Sequence, residues 1–180
     1  LRRSAEVVVW GCVGAAEFRS LWDHRPELVV LATPNDTHVP LALAAVRRGV
    51  AVVVDKPLGL TFDDAAPLVE EAEQAGVPLG VFHNRRWDGD FLTARSLLDD
   101  GALGELVLWE SRFERWRPDV GDPVKEASRG GLLLDLGSHL VDQALVAVGP
   151  VQSVYAHVRA VRPGARFDDD VEVSLTHASG

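Results

Sequence analysis

Apolar runs alternate with amphipathic segments along the first half of the chain. Residues 28–32 (LVVLA), 50–54 (VAVVV) and 77–82 (VPLGVF) are apolar runs, which is typical of parallel strands inside a sheet. Residues 39–48, and the segment opened by Thr61 and closed by Gly76, carry apolar residues at helical spacing. Strands that alternate with helices through short loops predict βαβ units and a parallel sheet.

The first residues predict one more strand and a turn. Residues 7–9 are three valines that lead into Gly11-Cys12-Val13-Gly14, and residues 17–23 have the pattern of a short helix. The glycines lack the G-x-G-x-x-G spacing of a dinucleotide-binding loop, and no acidic residue ends a second strand about 20 residues later. We therefore interpret residues 11–14 as a turn.

The pattern changes after Trp87. A helix is predicted over residues 90–98, a strand with one wet face over 105–114, and a polar loop over 115–129. A strongly apolar helix follows at 132–148, ended by Gly149-Pro150, and then strands at 151–161 and 171–176 around a turn at 162–164. We expect a parallel α/β domain in residues 1–87 and part of an α+β domain in residues 88–180.

The composition restricts the class of protein. The 180 residues carry a net charge of −9, which argues against a nucleic-acid partner because phosphate groups require a basic surface. No apolar run approaches the roughly 20 residues of a membrane span. The lone Cys12 forms no internal disulfide, which suits a reducing cytoplasm. The chain contains no methionine and its last strand is followed closely by the C-terminus, so we expect a segment of a longer protein.

Polar clusters follow all three predicted strands of the parallel sheet. They are Thr33-Pro34-Asn35-Asp36-Thr37-His38, then Asp55-Lys56, and then His83-Asn84-Arg85-Arg86-Trp87. The carboxyl ends of parallel strands share one edge, which is where open α/β sheets bind ligands. One such cluster is more simply an ordinary loop, whereas three on one edge indicate a site.

Lys56 is the most specific candidate at this edge. Of the 18 basic residues only Lys56 and Lys125 are lysines. Lysine, unlike arginine, can release its proton when partly buried, so a proton-sharing group in an active site has to be lysine. The alternative is a lysine whose stem packs while its head reaches solvent. The position at the end of a core strand favours function, and Pro57 is compatible with a cis peptide bond that would fix the direction of Lys56.

The segment GGLLLDLGSHLVDQ carries a second candidate set. Asp135, His139 and Asp142 share one face of an otherwise apolar helix. Asp135 can orient the imidazole of His139 and raise its basicity for acid–base chemistry. The alternatives are a buried His139 that Asp135 merely satisfies, and a metal site that adds Asp142. Residues 168–170, three aspartates, are expected to be solvated.

Three separated motifs resemble those of the Gfo/Idh/MocA oxidoreductases: VVLATPNDTHVPLALAAVRRGVAVVVDKPLG, NRRWDGDF and GGLLLDLGSHLVDQAL. The variant FHNRRWDGDFLT is most similar to the branch that contains NADP-dependent scyllo-inositol dehydrogenases. The resemblance runs from about Phe18 to Leu175. It implies a partial Rossmann-like parallel sheet followed by the start of an α+β domain with an open antiparallel sheet. The family's first βαβ unit, with its glycine-rich phosphate loop, is not recognisable in the chain.

The resemblance also implies roles for individual residues. It assigns catalysis to Lys56, Asp135 and His139. The residues it assigns to the cofactor, NADP or NAD, are Thr33, Pro34, Asn35, His38, Asp55, Lys56 and Asn84. The residues it places near the substrate are Arg85 and His139. Trp116 is a further substrate candidate on its residue type alone, because an indole ring can stack on a sugar face, and it could equally lie in the core. Asp55 replaces the glutamate of the family's E-K-P motif with a side chain one methylene shorter.

These features predict an oxidoreductase that transfers a hydride between NAD(P) and a secondary alcohol of a sugar or an inositol-like polyol, without a metal. His139 is the predicted general base, and Lys56 the group that stabilises the developing alkoxide or shares the base role. We expect the whole protein to be a cytoplasmic homo-oligomer. The alternatives are a non-catalytic nucleotide- or sugar-sensing regulator on the same fold, a metal-dependent hydrolase or isomerase, and an inactive truncated chain.

Overall fold

The computed structural model describes residues 20–121 and 130–179. Three strands, β1 (Leu28–Leu31), β2 (Ala51–Asp55) and β3 (Leu79–Phe82), form a parallel sheet in the order β1-β2-β3. Helix α1 (His38–Val46) connects the first two strands and helix α2 (Phe62–Ala75) the last two. The predicted parallel sheet is thus confirmed, while the strand predicted at 7–9 and the turn at 11–14 lie outside the described residues.

One face of the parallel sheet carries the core. The register places Val29 opposite Val52 and Leu31 opposite Val54, and all four side chains are buried. They pack in one cluster with the inner residues of α1 and α2, which are Ala42, Ala45, Val46, Leu68 and Ala72. On the other face Leu28 is 52% exposed and Val30 66% exposed. The continuous apolar run of β1 had predicted cover on both faces, and in the described part of the chain only one face is covered.

The second half of the chain builds a helix and an antiparallel ribbon. Helix α3 (Gly89–Asp99) follows a short 3-10 turn, Asn84–Trp87. A π-helical turn, Leu133–Gly137, runs directly into helix α4 (Ser138–Val148). Strands β4 (Val151–Arg159) and β5 (Asp170–His177) then pair antiparallel as a separate sheet, which confirms the mixed α/β class expected from the sequence. Within the described ranges, no helix is long and apolar enough to span a membrane.

Residues 105–114 form no strand, contrary to the prediction from their alternating pattern. No described residue pairs with them in a ladder, and an unpaired strand leaves its backbone groups unsatisfied. Two aromatic side chains of residues 105–114 instead contact residues that precede this segment in the chain. Trp109 meets Phe91 edge-on with 6.1 Å between ring centroids, and Phe113 lies under the guanidinium of Arg85. The segment is therefore a connection without regular secondary structure, and two of its aromatic side chains contact Phe91 and Arg85.

The π-helical turn before α4 is capped from a distant loop. The backbone N–H of Leu132 donates to the carbonyl of Asp168 at 2.9 Å, and that of Leu133 donates to its carboxylate at 2.7 Å. Gly131 makes this approach possible, because a Cβ at position 131 would lie 1.9 Å from Oδ1 of Asp168. The φ angle of Gly131 is +90°, which also favours glycine at this position. The loop between β4 and β5 thereby anchors the start of the helix that carries Asp135.

The next aspartate, Asp169, is also bound, so the expectation that residues 168–170 are solvated is wrong for Asp168 and Asp169. Asp169 accepts from Arg162 Nε and from the backbone N–H of Val161, both at 2.7 Å. Burial opposes ionisation of Asp169, but the bonds from Val161 and Arg162 outweigh it and lower the pKa of the carboxyl. Asp170 pairs with Arg159 at the start of the ribbon. These aspartates order the loop that caps α4.

Asp168→Ala is expected to lower the free energy of unfolding by about 1 kcal/mol, since the helix loses a capping carboxylate. Urea unfolding followed by circular dichroism measures the loss. Asp170→Ala is the matched control, because it removes an exposed ion pair between Arg159 at the end of β4 and Asp170 at the start of β5 and should cost less. Equal losses in the two variants would contradict the cap.

Candidate active site

The carboxyl ends of the three parallel strands meet at one edge. Leu31 lies opposite Val54, Val54 opposite Val81, and Asp55 opposite Phe82. The polar clusters that follow the strands therefore emerge side by side, as the sequence predicted. This is the edge at which open α/β sheets bind dinucleotides and other ligands.

Lys56 joins this edge to the second half of the chain. Its ammonium donates to the backbone carbonyl of Asp135 at 2.5 Å and to the carboxylate of Asp135 at 2.9 Å. The Lys56 side chain is only 16% exposed, and the Lys56–Pro57 peptide bond is cis. An ammonium has three donors, so these two bonds leave one N–H of Lys56 for a ligand. Lys56 is thus held in place as a charged hydrogen-bond donor.

His38 is buried and ties two strand-end loops together. Its Nδ1 lies 2.7 Å from the carbonyl of Pro57, and its Nε2 lies 2.9 Å from the carbonyl of Thr33. The residue is 1% exposed and both ring nitrogens face backbone carbonyls, of which an imidazole with a single N–H donates to one. His38 therefore holds the loop that follows Lys56, and offers no free ring nitrogen to a cofactor.

The other residues assigned to the cofactor lie at the same edge with different exposure. Asn35 begins a 3-10 turn, Asn35–Thr37, and is half-buried, whereas Pro34 and Asn84 are exposed. The Oδ1 of Asp55 accepts from the backbone N–H of Lys56 at 2.9 Å, so its shorter side chain folds back on its own loop. The amide groups of Asn35 and Asn84 could bind a polar ligand beyond the strand ends.

His139 is buried on α4 and is not hydrogen-bonded to Asp135. Its Nδ1 is buried without a hydrogen-bond partner, which leaves Nε2 as the ring nitrogen that could meet a ligand. The carboxylate of Asp135 binds Lys56 instead. The predicted i, i+4 pairing assumed a regular α-helix, but Asp135 lies in the wider π-helical turn Leu133–Gly137, which changes the direction of its side chain. The structure thus replaces the predicted Asp135–His139 hydrogen bond with a Lys56–Asp135 ion pair.

The surroundings of His139 keep its imidazole neutral. Burial is the largest cause that lowers its pKa, followed by the positive charges of Lys56 and Arg85 and by His83. The charge of Asp135 raises the pKa, but its effect is smaller. A neutral imidazole can accept a proton near pH 7, which is what a general base requires.

A second ion pair docks α4 on the loop after β3. The carboxylate of Asp142 accepts from Arg86 Nη2 at 2.6 Å and from Nε at 2.7 Å, and the Asp142 side chain is 9% exposed. Gln143 donates to the carbonyl of Arg85 at 2.9 Å. His83 lies 3.8 Å from Asp142, and its pKa is lowered chiefly by burial, against the opposing charge of Asp142.

These contacts bear on the metal alternative. Asp135 faces Lys56 and Asp142 faces Arg86, so both carboxylates are engaged by cations. In residues 20–121 and 130–179 no three histidine, cysteine or acidic side chains form a group that could hold a metal ion. The described geometry therefore gives no support to a site built from Asp135, His139 and Asp142.

The two remaining residues assigned to the substrate behave differently. The guanidinium of Arg85 donates to Asp88 at 3.0 Å and its Cζ lies 4.8 Å from the ring centroid of Phe113, so it is held close to His139. Trp116 is 90% exposed, so it does not lie in the core. The structure thus brings Arg85 close to His139, and its described contacts give Trp116 no link to the other candidates.

Both halves of the chain match descriptions of one protein family. Residues 3–83 match the oxidoreductase family with an NAD-binding Rossmann fold, and residues 91–180 match the Gfo/Idh/MocA C-terminal domain. The chain belongs to the Gfo/Idh/MocA oxidoreductase family. The resemblance predicted from the motifs is confirmed, and the family match extends into the first residues, where no phosphate loop was recognised.

Similar proteins include both named enzymes and uncharacterized ones. The uncharacterized oxidoreductase YdgJ of Escherichia coli is 45% identical over 86% of this chain and 45% of its own length. The scyllo-inositol 2-dehydrogenase (NADP(+)) IolW of Bacillus subtilis is 37% identical over 84% of this chain and 43% of its own length. A solved NAD-binding protein from Listeria innocua has a TM-score of 0.76 and 33% identity over 91% of this chain and 47% of its own. The chain spans less than half the length of these relatives.

The sequence did not reveal roles for Arg86 and Gln143, which form contacts between α4 and the loop after β3. Arg86 belonged to the polar cluster after β3 but received no role, and Asp142 was considered only as a metal ligand. One signal was available, since an aspartate on an apolar helix needs a cationic partner and Arg86 was an unassigned cation at the strand edge.

The lowered pKa values of His83 and His139 predict sensitivity to mild acid. An ordinary histidine has a pKa of about 6.5, which is also the value expected in the unfolded chain. The free energy of unfolding therefore keeps its full value above that pH, and it falls as the pH drops toward the lower pKa values of the folded protein, because the unfolded chain binds protons first. Urea unfolding at a series of pH values above the range of the carboxyl groups measures the effect. The double variant His83→Asn, His139→Asn should show a flatter dependence, and an unchanged slope would count against the assignment.

Proposed function

We propose that this chain contributes the catalytic edge of an NAD(P)-dependent oxidoreductase that acts on a secondary alcohol of a sugar or inositol-like polyol. The observation that carries the proposal is the joint placement of Lys56 and His139. Lys56 keeps one N–H free beside Asp135, and the neighbouring His139 is held neutral. A charged donor next to a neutral base is the pair that alcohol oxidation needs.

Oxidation of a secondary alcohol removes a hydroxyl proton and a hydride from the same CH–OH group and leaves a ketone. Nε2 of His139 would accept the hydroxyl proton, because Nδ1 is buried. The remaining N–H of Lys56 would donate to the substrate oxygen and stabilise the negative charge that develops on it. The nicotinamide ring of a bound cofactor supplies the hydride acceptor. In the reverse direction His139 returns the proton to the oxygen.

Asp135 has a supporting part in this proposal. Its carbonyl and carboxylate fix two of the three donors of Lys56, and this directs the third toward the substrate. Because Asp135 occupies two donors of Lys56 and the third is the one directed at the substrate, we assign Lys56 the stabilisation of the alkoxide and assign the base role to His139. Asp135 would thus act through Lys56 rather than through a hydrogen bond to His139.

The loops at the strand ends suit a dinucleotide, and the cofactor we propose is NAD or NADP. Asn35, Asp55 and Asn84 would offer polar groups to the ribose and nicotinamide parts, while His38 holds two of the loops together. The family match to an NAD-binding Rossmann fold and the name of the Bacillus subtilis relative support this choice.

The same proposal assigns cofactor binding and substrate binding to different halves of the chain. Residues 1–87 would form the dinucleotide-binding part and residues 88–180 the substrate-binding part, which agrees with the two family matches at 3–83 and 91–180. We also propose that the whole protein is a homo-oligomer. The exposed apolar residues Val154 and Val158 on β4 support a further covering contact.

His139→Ala and Lys56→Met in the intact oxidoreductase should each lower kcat by about 10²- to 10⁴-fold, because each removes a group that acts on the reacting oxygen. Formation of reduced nicotinamide from NAD⁺ or NADP⁺ with scyllo-inositol and other polyols measures turnover. The cofactor dissociation constant should change little, which separates lost chemistry from lost binding. Near-normal turnover in both variants would refute the assignment, and no turnover of any polyol by the wild type would favour the sensing alternative.

Lys56→Met should raise the pKa of His139, since the charge of Lys56 is one of the causes that lower it. Titration of the His139 ring followed by NMR checks this in wild type and variant. In the wild type the acid limb of kcat/KM should lie below pH 6.5, about the value of an ordinary histidine, because oxidation requires the neutral ring. A His139 pKa that falls in Lys56→Met would show that the two side chains are not neighbours in solution.

A further inference from the structure

Three residues outside the predicted catalytic set connect α4 to the end of β3. Asp142 accepts two hydrogen bonds from Arg86, at 2.6 and 2.7 Å, in the parallel geometry of a bidentate ion pair. Gln143, the next residue, donates to the carbonyl of Arg85 at 2.9 Å. One helical residue thus binds a side chain of the loop after β3, and its neighbour binds the backbone of that loop.

The burial of these groups makes the connection specific. Asp142 and Gln143 are each 8% exposed, so neither can exchange its protein partner freely for water. A buried carboxylate without its cation is strongly unfavourable, which ties Asp142 to Arg86. A bidentate pair fixes orientation as well as distance. The position of α4 relative to β3 is therefore determined by directed contacts and not by apolar packing alone.

His139 lies between two such anchors along the helix. On its N-terminal side Asp135 is bound to Lys56 at the end of β2, and on its C-terminal side Asp142 is bound to Arg86 after β3. A helix that is fixed at two points to two strands of one sheet cannot rotate about its axis. The two anchors thereby limit how far the ring of His139 can move relative to Lys56.

We propose that Asp142, with Arg86 and Gln143, is a positioning residue that holds His139 against Lys56 by fixing α4 to the end of β3. The inference rests on the proposed function, since it concerns the same His139 and Lys56. Asp142 acts through the helix and does not touch the reacting atoms. Its loss should therefore disturb the chemistry of His139 more than the binding of the cofactor.

The direction in which the pKa of His139 changes when Asp142 is replaced distinguishes a positioning role of Asp142 from a purely electrostatic one. His139 is faced by Lys56 from β2, by His83 and Arg85 from the end of β3, and by Asp135 from its own helix. Deleting the charge of Asp142 in a rigid structure, or freeing the cation of Arg86, would lower the pKa of His139 further. If α4 instead moves away from Lys56 and admits water, the pKa rises toward the ordinary value of about 6.5.

The main test is Asp142→Asn in the intact oxidoreductase, with the His139 ring titrated by NMR. The expected result is an upward shift of the His139 pKa. kcat for hydride transfer from scyllo-inositol should fall about 10- to 100-fold, as expected when a catalytic group is displaced by about 1 Å. The KM for NAD⁺ or NADP⁺ should change little. The kcat of the double variant Arg86→Lys, Asp142→Asn should be no lower than that of Asp142→Asn alone, because both changes break the same ion pair.

The chain provides a matched control in Arg47 and Glu71. This pair is also bidentate, with distances of 2.7 and 2.9 Å, but it is exposed and joins α1 to α2 away from the strand ends. Glu71→Gln makes the same chemical change as Asp142→Asn. It should leave both the titration of His139 and the turnover unchanged.

Each outcome decides the proposal. A His139 pKa that falls or stays constant in Asp142→Asn overturns it, as does an equal response to Glu71→Gln. If Asp142→Asn does not fold, the double variant Arg86→Gln, Asp142→Asn gives the reading, since it removes the pair without leaving a buried unpaired charge, and in a rigid structure the loss of two opposite charges would change the His139 pKa little. The titration needs no substrate, so a wild type without hydride transfer refutes the proposed function while the pKa shift still tests the positioning role.

Discussion

The ion pair between Lys56 and Asp135 is the contact on which the rest of the site depends. It is the link that joins the end of a core strand to the turn before α4, and it involves both a carbonyl and a carboxylate of the same residue. The two halves of the chain otherwise have separate sheets. Because Lys56 is only 16% exposed, its charge has to be balanced from within the protein, and Asp135 provides that balance.

Much of the fold could be predicted because its signals are local. The apolar runs of β1 and β2, the cap at Thr61 and the closing Gly76 of α2 each depend on a few neighbouring residues, and each is found near its predicted position. The parallel register then brings the strand-end clusters together without further information. Residues 105–114 could not be predicted in this way, since whether an alternating segment becomes a strand depends on a partner elsewhere in the chain.

That the candidate residues lie together could be predicted from the sequence, but the contacts between them could not. Lys56, Asp135 and His139 do converge, but the partner of Asp135 is decided by the π-helical turn, and no spacing rule for α-helices anticipates such a turn. The cap on the same helix comes from Asp168, 35 residues after Leu133, where the sequence showed only an acidic run. Contacts between distant segments were therefore the part that the sequence alone did not reveal.

The use of lysine at position 56 in an arginine-rich chain has a geometric explanation in this structure. The donors of an ammonium point in three different directions, so two can be held by Asp135 while the third points elsewhere. The N–H groups of a guanidinium lie in one plane, and a bidentate pair of the kind that Arg86 makes with Asp142 uses one edge of that plane. Arginine therefore suits the contact that fixes the helix, and lysine suits the contact that must also reach a ligand.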